Sequence, residues 1–259
     1  MMRFPLRLTA DISRARLAKR LGFALGVRPI QFLDAAEILH HDSSQPVSHE
    51  RIREINSSRS PAIWMGGTEP LHHAGIAHLV RAITQTGHFV FLETDGTLLR
   101  RRIHEFQPVP RLFLTVRLEP AVKRHTPNGI REDAFELAVE GIRAARLSGF
   151  LICVHARVCP ETKHGETAEL IQFARSLDVD GIVITPASGG SNSANPDDAA
   201  LHGKTEEARK LIGSKWWESF SRIVEPVVST HRSAARNTGE SGVRLEQESH
   251  VDEEGVRIA

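Results

Sequence analysis

The stretch PAIWMGGTEPLHHAGIAHLVRAITQTGHFVFLETDG, residues 61–96, contains two short apolar runs separated by a helical pattern. The runs PAIWMGG (61–67) and HFVFLETDG (88–96) are almost continuously apolar and rich in aromatic and branched residues, which is typical of strands buried on both faces. An i, i+3, i+4, i+7 stripe lies between them and is followed by Gly87, as expected for an amphipathic helix and its stop. The stripe consists of Ile76, Leu79, Val80 and Ile83. The stretch therefore predicts one strand–helix–strand unit of a parallel sheet.

The same alternation continues along the chain in both directions. Further strand-like runs are RPIQFLD (28–34), RLFLTVRLE (111–119), FLICVHARV (150–158) and GIVITPA (181–187). Six such runs, separated by helical stripes, suit repeated strand–helix units with parallel strands. A closed barrel of this kind needs eight units. The sequence therefore predicts an α/β protein whose residues 28–228 form a partial parallel (β/α)6 barrel of the TIM-like type.

Composition narrows the classes of function. The chain has 259 residues, a formal net charge of +1, no Tyr and only 5% aromatic residues, so nothing indicates a surface for binding nucleic acid. Cys153 and Cys159 are the only cysteines. Two thiols are too few for a disulfide framework in a chain of this length, which favours a reducing, cytoplasmic compartment. No apolar run reaches the roughly 20 residues that a transmembrane segment needs.

Two segments flank the predicted barrel. Residues 1–27 predict a basic N-terminal helix, at roughly 9–23, that packs on the open side or the bottom of the barrel. The alternative is a weak contact with a membrane surface or a protein partner. That contact would use Arg14, Arg16, Lys19 and Arg20. Residues 229–259 are polar and charged without aromatic residues, and this composition predicts a disordered tail.

Polar residues follow the predicted strands, where parallel barrels place their ligands. The most informative group is Gly66-Gly67-Thr68-Glu69-Pro70 after the second strand. Two glycines let the backbone approach a ligand closely, and Glu69 can accept hydrogen bonds from a ligand ammonium. A tight turn in which glycine only relieves backbone strain explains the motif equally well. The other polar residues and glycines at these strand ends are Thr94, Asp95, Gly96, Thr115, Arg117 and His155.

Around these residues the chain resembles a known family. The runs IWMGGTEPLHHAGIAHLVRAI, FVFLETDGTLL, LFLTVRLE, REDAFELAVEGIRAARLSGF and VDGIVITP, within about 61–187, are similar in order and spacing to the radical S-adenosylmethionine (SAM) superfamily, and more closely to the hopanoid-biosynthesis adenosyltransferases. The resemblance implies a partial (β/α)6 barrel and a SAM site. The implied SAM contacts are Gly66, Gly67 and Glu69 at the amino group, with Thr68 of the same motif. Thr94, Asp95 and Gly96 are implied beside the carboxylate and ribose, and Thr115, Arg117 and His155 in the same pocket.

The chain departs from this family at the iron–sulfur motif. The resemblance implies a CxxxCxxC motif after the first strand, but the loop AAEILHHDSSQPVS (35–48) contains no cysteine. Thiolates hold such clusters. Cys153 and Cys159 lie on or just after the fifth strand with a different spacing, and we expect the first to be buried and the second exposed. We therefore expect no [4Fe–4S] cluster, while SAM stays a candidate cofactor.

Three functions are compatible with these residues. The first is a pseudoenzyme that keeps the barrel and a SAM-type pocket without radical chemistry. The second is an enzyme with a non-cluster metal site, because two histidines and one carboxylate form a known metal-binding set. Its candidate ligands are His40, His41, Asp42, Glu69, His72 and His73. The third is a non-catalytic scaffold or partner subunit that uses Trp216 and Trp217 as a contact, although a Trp pair that covers the barrel core is the simpler interpretation.

Overall fold

The computed structural model describes residues 4–20, 28–35, 47–119, 130–187 and 196–230. Six parallel strands lie side by side in sequence order in one sheet. They are β1 Ile30–Asp34, β2 Ala62–Gly66, β3 Phe89–Thr94, β4 Leu112–Leu118, β5 Leu151–Val158 and β6 Gly181–Pro186. Each strand falls within one of the six apolar runs. The prediction of a partial parallel barrel with strands in chain order is confirmed.

Helices precede, connect and follow the strands along the chain. They are α1 Leu6–Arg20, α2 His49–Asn56, α3 Ile76–Gln85, the single turn α4 Leu99–Arg102, α5 Ile130–Leu147, α6 His164–Ser176, α7 Pro196–Lys210 and α8 over 215–230. The apolar stripe predicted from the sequence is buried along the whole of α3. Apolar residues that repeat with the helical period form one face of the helix, and burial of that face against the sheet holds the helix in place.

The sheet curls into a half-barrel whose concave face is filled by aromatic side chains. Trp64 on β2, Phe91 on β3 and Phe113 on β4 occupy paired positions of neighbouring strands. Their rings stack in a row, with centroids 5.7 Å and 4.8 Å apart. Because side chains alternate between the two faces of a strand, the residues two and four positions further along also point into the half-barrel.

Helix α8 packs into the half-barrel and completes its interior. Trp217 is fully buried with its ring centroid 5.9 Å from that of Phe113, and Phe220 lies 4.7 Å from Phe91. The adjacent Trp216 is 52% exposed. The interpretation of the Trp pair as a core cover is therefore correct for Trp217 and wrong for Trp216.

Two predicted boundaries differ from the structure. Helix α1 begins at Leu6, three residues before the predicted start, and residues 21–27 lie outside the described part. Helix α8 continues to residue 230, so the first two residues assigned to a disordered tail are helical because the apolar face of α8 extends to Val228. The remaining tail, 231–259, lies outside the described residues. Within the described ranges no helix has the length and apolarity to span a bilayer.

Candidate functional site

Glu69, which follows β2, links the loop after β2 to the loop after β3. Its Oε1 accepts hydrogen bonds from Thr94 Oγ1 at 2.7 Å and from the Leu71 N–H at 3.1 Å, and its Oε2 accepts one from the Asp95 N–H at 2.7 Å. Burial raises the pKa of the Glu69 carboxyl, and these hydrogen bonds offset only part of that effect. Three of about four acceptor positions on the carboxylate are thus used inside the protein.

The loop after β3 is ordered by its own side chains. The Gly96 N–H donates to Thr94 Oγ1 at 3.0 Å, and Asp95 Oδ1 accepts hydrogen bonds from the N–H and the hydroxyl of Thr97 at 2.9 Å and 2.7 Å. Gly96 has a φ of +84°, a conformation that favours glycine. The structure therefore brings the predicted residues of this loop next to Glu69, as the parallel strand order requires.

The double glycine after β2 makes room for two carboxylates of the protein itself. A Cβ on Gly66 would lie 2.7 Å from Oε2 of Glu93, and a Cβ on Gly67 would lie 2.5 Å from Oδ1 of Asp34. Gly67 also has a φ of +88°, whereas the next residue, Thr68, is exposed. The sequence suggested that a ligand lies close to these two glycines. In the structure the space beside their Cα atoms holds the carboxylates of Glu93 and Asp34 instead.

Glu93 on β3 is the centre of a buried charged network. Its Oε2 accepts a hydrogen bond from Trp64 Nε1 at 2.7 Å, and its Oε1 lies 2.9 Å from Nδ1 of His155 and 3.6 Å from the guanidinium of Arg117. Only 4% of Glu93 is exposed. Burial alone raises the pKa of a carboxyl, but here the charges of His155 and Arg117, with the hydrogen bonds, hold the pKa of Glu93 well below its usual range.

His155 on β5 extends this network to the sixth strand. Its Nε2 lies 2.8 Å from the Thr185 hydroxyl, and the ring is fully buried. Both ring nitrogens are therefore engaged within the protein, and the ring packs edge-on against Trp64 at 5.2 Å. His155 thus lies inside the half-barrel, where it holds Glu93 and Thr185 in place, and it is not exposed at the strand ends.

Two further residues of β4 face the same interior. Thr115 and Arg117 share a strand face with Phe113, because side chains alternate along the strand. Thr115 is fully buried, and its Oγ1 has no hydrogen-bond partner among the described residues. Arg117 keeps about a quarter of its side chain exposed while it approaches Glu93. A buried hydroxyl without a partner marks a place where water or a ligand completes the structure.

Sequence reasoning named Glu93 only as part of a strand end and did not assign it to the site. Its partner Thr185 was likewise named only at a strand end, and Trp64 was assigned to a strand alone. A signal for Glu93 was present, since a charged residue inside the run HFVFLETDG must find a buried partner. The identity of that partner depends on which strands are neighbours, and no local pattern contains that information.

The suggested non-cluster metal site gains no support from the described residues. No group of three or more His, Cys, Asp or Glu side chains in them is arranged to hold a metal ion. Three of the candidate ligands, His40, His41 and Asp42, lie outside the described ranges. His73 is buried, and its Nδ1 accepts a hydrogen bond from the Gly75 N–H at 2.9 Å.

The two thiols do not fit a [4Fe–4S] cluster. Cys153 is fully buried on β5, where burial raises its pKa and so disfavours the thiolate that iron requires. Cys159 is buried as well, which corrects the expectation that it is exposed, because its N–H bonds to Thr162 Oγ1 and folds the chain over it. Neither lies in the loop after β1, where the resemblance places the cluster ligands.

Comparisons with known proteins bear on this fold. No family model matches the chain. GTP 3',8-cyclase 2 of Pseudomonas aeruginosa is 27% identical over 157 residues, which cover 60% of this chain and 47% of that protein. The crystal structure of Streptococcus suis SuiB bound to S-adenosylmethionine superposes with a TM-score of 0.54 at 12% identity, over 76% of this chain and 50% of that chain.

The resemblance to the radical SAM superfamily is confirmed. The likeness to SuiB concerns the fold, since the identity is low. The chain spans about half the length of the relatives it matches. The chain therefore folds as a radical SAM-type half-barrel. At its strand ends Glu69 contacts Thr94 and Asp95, while Thr115 and Arg117 on β4 lie beside the buried Glu93. These five polar residues are called the strand-end cluster.

Proposed function

We propose that this radical SAM-like barrel binds SAM, or a closely related adenosyl amino acid, at the strand-end cluster and performs no radical chemistry. The observation that carries the proposal is that polar side chains lie at the strand ends while the two thiols are unsuited to holding a [4Fe–4S] cluster. The acidic Glu69 and the cationic Arg117 supply opposite charges near one edge of the sheet. An amino acid ligand carries the complementary pair, an ammonium and a carboxylate.

The roles of the individual residues follow from their contacts. Glu69 has one acceptor position left on Oε2 for a ligand ammonium, because its other positions are filled by protein donors. Arg117 is partly exposed, and the distance between its Nη1 and Oε1 of Glu93 is as long as 3.6 Å. Its guanidinium therefore retains N–H donors for a ligand carboxylate. The buried, unpartnered hydroxyl of Thr115 lies one strand away from Glu93 and supports a water or another polar group at that level of the half-barrel.

A scaffold or partner subunit of an active enzyme is the second candidate. The exposed Trp216 favours it, since an exposed aromatic side chain beside the covered interior is typical of a contact surface. In that case the strand-end cluster is an internal network, in which Glu69 and Glu93 are satisfied by the protein and no ligand enters.

Calorimetry with SAM and with S-adenosylhomocysteine distinguishes the two functions. We expect saturable binding that weakens roughly 10- to 100-fold in Arg117→Ala, as for the loss of a hydrogen bond to a charged group. Glu69→Ala is expected to weaken binding as well. Arg81→Ala, which removes an exposed charge on α3, is the matched control and should leave binding unchanged. If neither ligand binds at millimolar concentration, the scaffold function replaces the proposal.

Further assignments remain proposals. A reducing, cytoplasmic compartment rests on the two cysteines, both of which are free thiols. A weak membrane contact or a protein partner for α1 rests on the exposed Arg14 and Arg16. The expectation that the chain binds no nucleic acid rests on its composition alone.

A further inference from the structure

The face of α1 that points away from the protein carries two exposed leucines. The inner face of the helix packs through Leu8, Ile12 and Ala15, which are all buried. On the other side, Leu6 is 85% exposed and Leu17 is 56% exposed. With 3.6 residues per turn, these two leucines lie three turns apart on one line, opposite the buried residues. Helix α1 therefore has apolar residues on two opposite faces, and the protein buries the inner one.

Arginines border the outer line of α1 on both sides. Arg7 and Arg14 lie on one side of the line and Arg16 lies on the other, and all three are exposed. The residues on the line between the two leucines are small and exposed, namely Ala10 and Ser13. The single acidic residue of α1 is Asp11, whose ion pair with Arg14 is 3.9 Å long at an exposed position. The outer side of α1 is thus a narrow apolar stripe bordered by positive charge.

Trp216 of α8 lies beside this stripe. Its ring stacks on that of Phe4 with the centroids 6.2 Å apart, and it lines one small depression together with Ser13 and Arg16. The side chain is 52% exposed. Trp is favoured at the boundary between lipid and water, because its ring is apolar and its N–H is polar. The surface called the α1 outer face consists of Leu6, Arg7, Arg14, Arg16, Leu17 and Trp216.

We propose that the α1 outer face binds the surface of a bilayer that contains anionic phospholipid. The two leucines insert at the level of the acyl chains, while the arginine stems lie along the apolar boundary and their guanidinium groups bind lipid phosphates. The leucines protrude singly, roughly 16 Å apart along the helix. A fluid bilayer adapts to separate protruding side chains, whereas a protein partner needs a matching pocket for each of them. The proposal thus narrows the contact of α1 to one class of partner.

The α1 outer face is separate from the proposed SAM site. Phe4, just before α1, packs against Trp217 with the ring centroids 4.9 Å apart, and Trp217 lies against Gly181, the first residue of β6. The start of α1 is therefore at the amino-terminal end of the strands, whereas the strand-end cluster lies at the carboxyl ends of β2 to β4. Failure of the SAM titration leaves this proposal intact, and failure of membrane binding leaves the SAM site intact.

The test is co-sedimentation of the full chain with vesicles of phosphatidylcholine, with and without phosphatidylglycerol, at about 0.1 M salt. We expect the anionic vesicles to bind roughly 100-fold more tightly than the neutral ones, since each arginine contributes about fivefold at an anionic surface. Salt at about 0.5 M should reduce this preference by screening. The preference should be largely lost in Arg7→Gln/Arg14→Gln/Arg16→Gln. It should persist in the matched triple variant Arg53→Gln/Arg59→Gln/Arg81→Gln, which removes exposed arginines elsewhere.

The leucines and the tryptophan are tested separately. Leu6→Ser/Leu17→Ser is expected to weaken binding to anionic vesicles at least about tenfold. Leu137→Ser/Leu147→Ser, the matched double variant at two exposed leucines of α5, should leave binding unchanged. The tryptophan fluorescence of the wild type should shift to shorter wavelength on anionic vesicles. This shift should be smaller in Trp216→Phe, because the other two tryptophans, Trp64 and Trp217, are already buried.

Three results overturn the proposal. The first is equal binding to neutral and anionic vesicles, or no binding to either. The second is binding to anionic vesicles that the triple variant of Arg7, Arg14 and Arg16 keeps in full. The third is a dimer of the wild type in analytical ultracentrifugation that Leu6→Ser/Leu17→Ser abolishes, without any vesicle binding. That result assigns the α1 outer face to an interface between two copies of the chain.

Discussion

At the scale of single residues, Glu93 shows how a charge is held inside a strand. Each of its oxygens has a donor, Trp64 on one side and His155 on the other, and Arg117 adds a second cation. A buried carboxylate with all its partners is stable, whereas removal of one partner leaves an uncompensated charge. The neighbouring Gly66 has no side chain because Glu93 occupies that space.

Replacement of Glu93 by Gln is expected to lower the free energy of unfolding by about 3–5 kcal/mol at pH 7, because His155 and Arg117 lose their counter-charge. Urea unfolding measures the difference. Glu140→Gln, which removes an exposed ion pair with Arg100, should cost less than about 1 kcal/mol. A cost for Glu93→Gln as small as that of this control would contradict the role of the network.

The same substitution has a characteristic pH dependence. The pKa of Glu93 is lowered in the folded state, so its stabilisation is complete above the unfolded pKa of about 4.3 and is lost as the pH falls through the folded pKa. The carboxyl part of the difference in stability between the wild type and Glu93→Gln should therefore narrow as the pH falls below about 4.3. A difference that widens below about pH 4 would contradict this expectation.

The pKa of Glu69 is shifted in the opposite direction from that of Glu93, so its contribution to ligand binding is lost at a higher pH. Burial raises its pKa above the ordinary value, and a ligand ammonium requires the ionised form. The affinity for SAM should therefore fall as the pH is lowered through this raised pKa, at a higher pH than for an exposed glutamate. Calorimetric titrations between pH 7.5 and pH 5 measure this loss. In Glu69→Gln the same titrations should be nearly flat, and a wild-type profile as flat as that would exclude Glu69 as the ammonium partner.

At the scale of elements, α8 determines how the half-barrel is completed. Besides Trp217 and Phe220, it is tied to the sheet through the fully buried Arg209 of α7. The guanidinium of Arg209 donates to the Ile184 carbonyl of β6 at 3.0 Å and to Glu225 of α8 at 2.6 Å. One cation thus joins the last strand to the last two described helices.

The adjacent tryptophans of α8 provide a matched pair for testing this packing. Trp217→Ala is expected to lower the free energy of unfolding by about 3–5 kcal/mol, since it leaves a cavity against Phe113 and Gly181. Trp216→Ala, at a half-exposed position, should cost about 1 kcal/mol or less. Chemical denaturation of both variants measures the difference. Equal costs would mean that α8 does not pack into the half-barrel as described.

At the scale of the whole molecule, the fold resembles that of the radical SAM proteins while the thiols do not suit their cofactor. We expect that the chain, purified without oxygen and treated with iron and sulfide, retains far less than one cluster per molecule, because the thiolates that such a cluster needs are absent from the loop after β1. Iron analysis and the visible absorption spectrum measure this. The double variant Cys153→Ala/Cys159→Ala should bind the same residual iron as the wild type.

About four irons per chain, lost in that double variant, would contradict the prediction and would make the two cysteines genuine ligands. About four irons that persist in the double variant would also contradict it, since the ligands would then be side chains other than thiolates.

The sequence by itself determined the positions of the strands, because near-continuous apolarity and the helical period record which residues are buried. It also indicated a close approach to the backbone at the glycines after β2 and the lack of thiolate ligands in the loop after β1, since both depend only on which residues stand at those positions. It did not determine which side chains Glu69 and Glu93 bond, nor that Trp217 fills the interior while Trp216 is exposed. The contact between Glu93 and His155 joins residues 62 positions apart, and that between Trp217 and Phe113 joins residues even farther apart along the chain. Only the strand order, the register and the curvature of the folded sheet bring such residues within hydrogen-bonding distance, and a one-residue shift of register would turn each of these side chains to the opposite face.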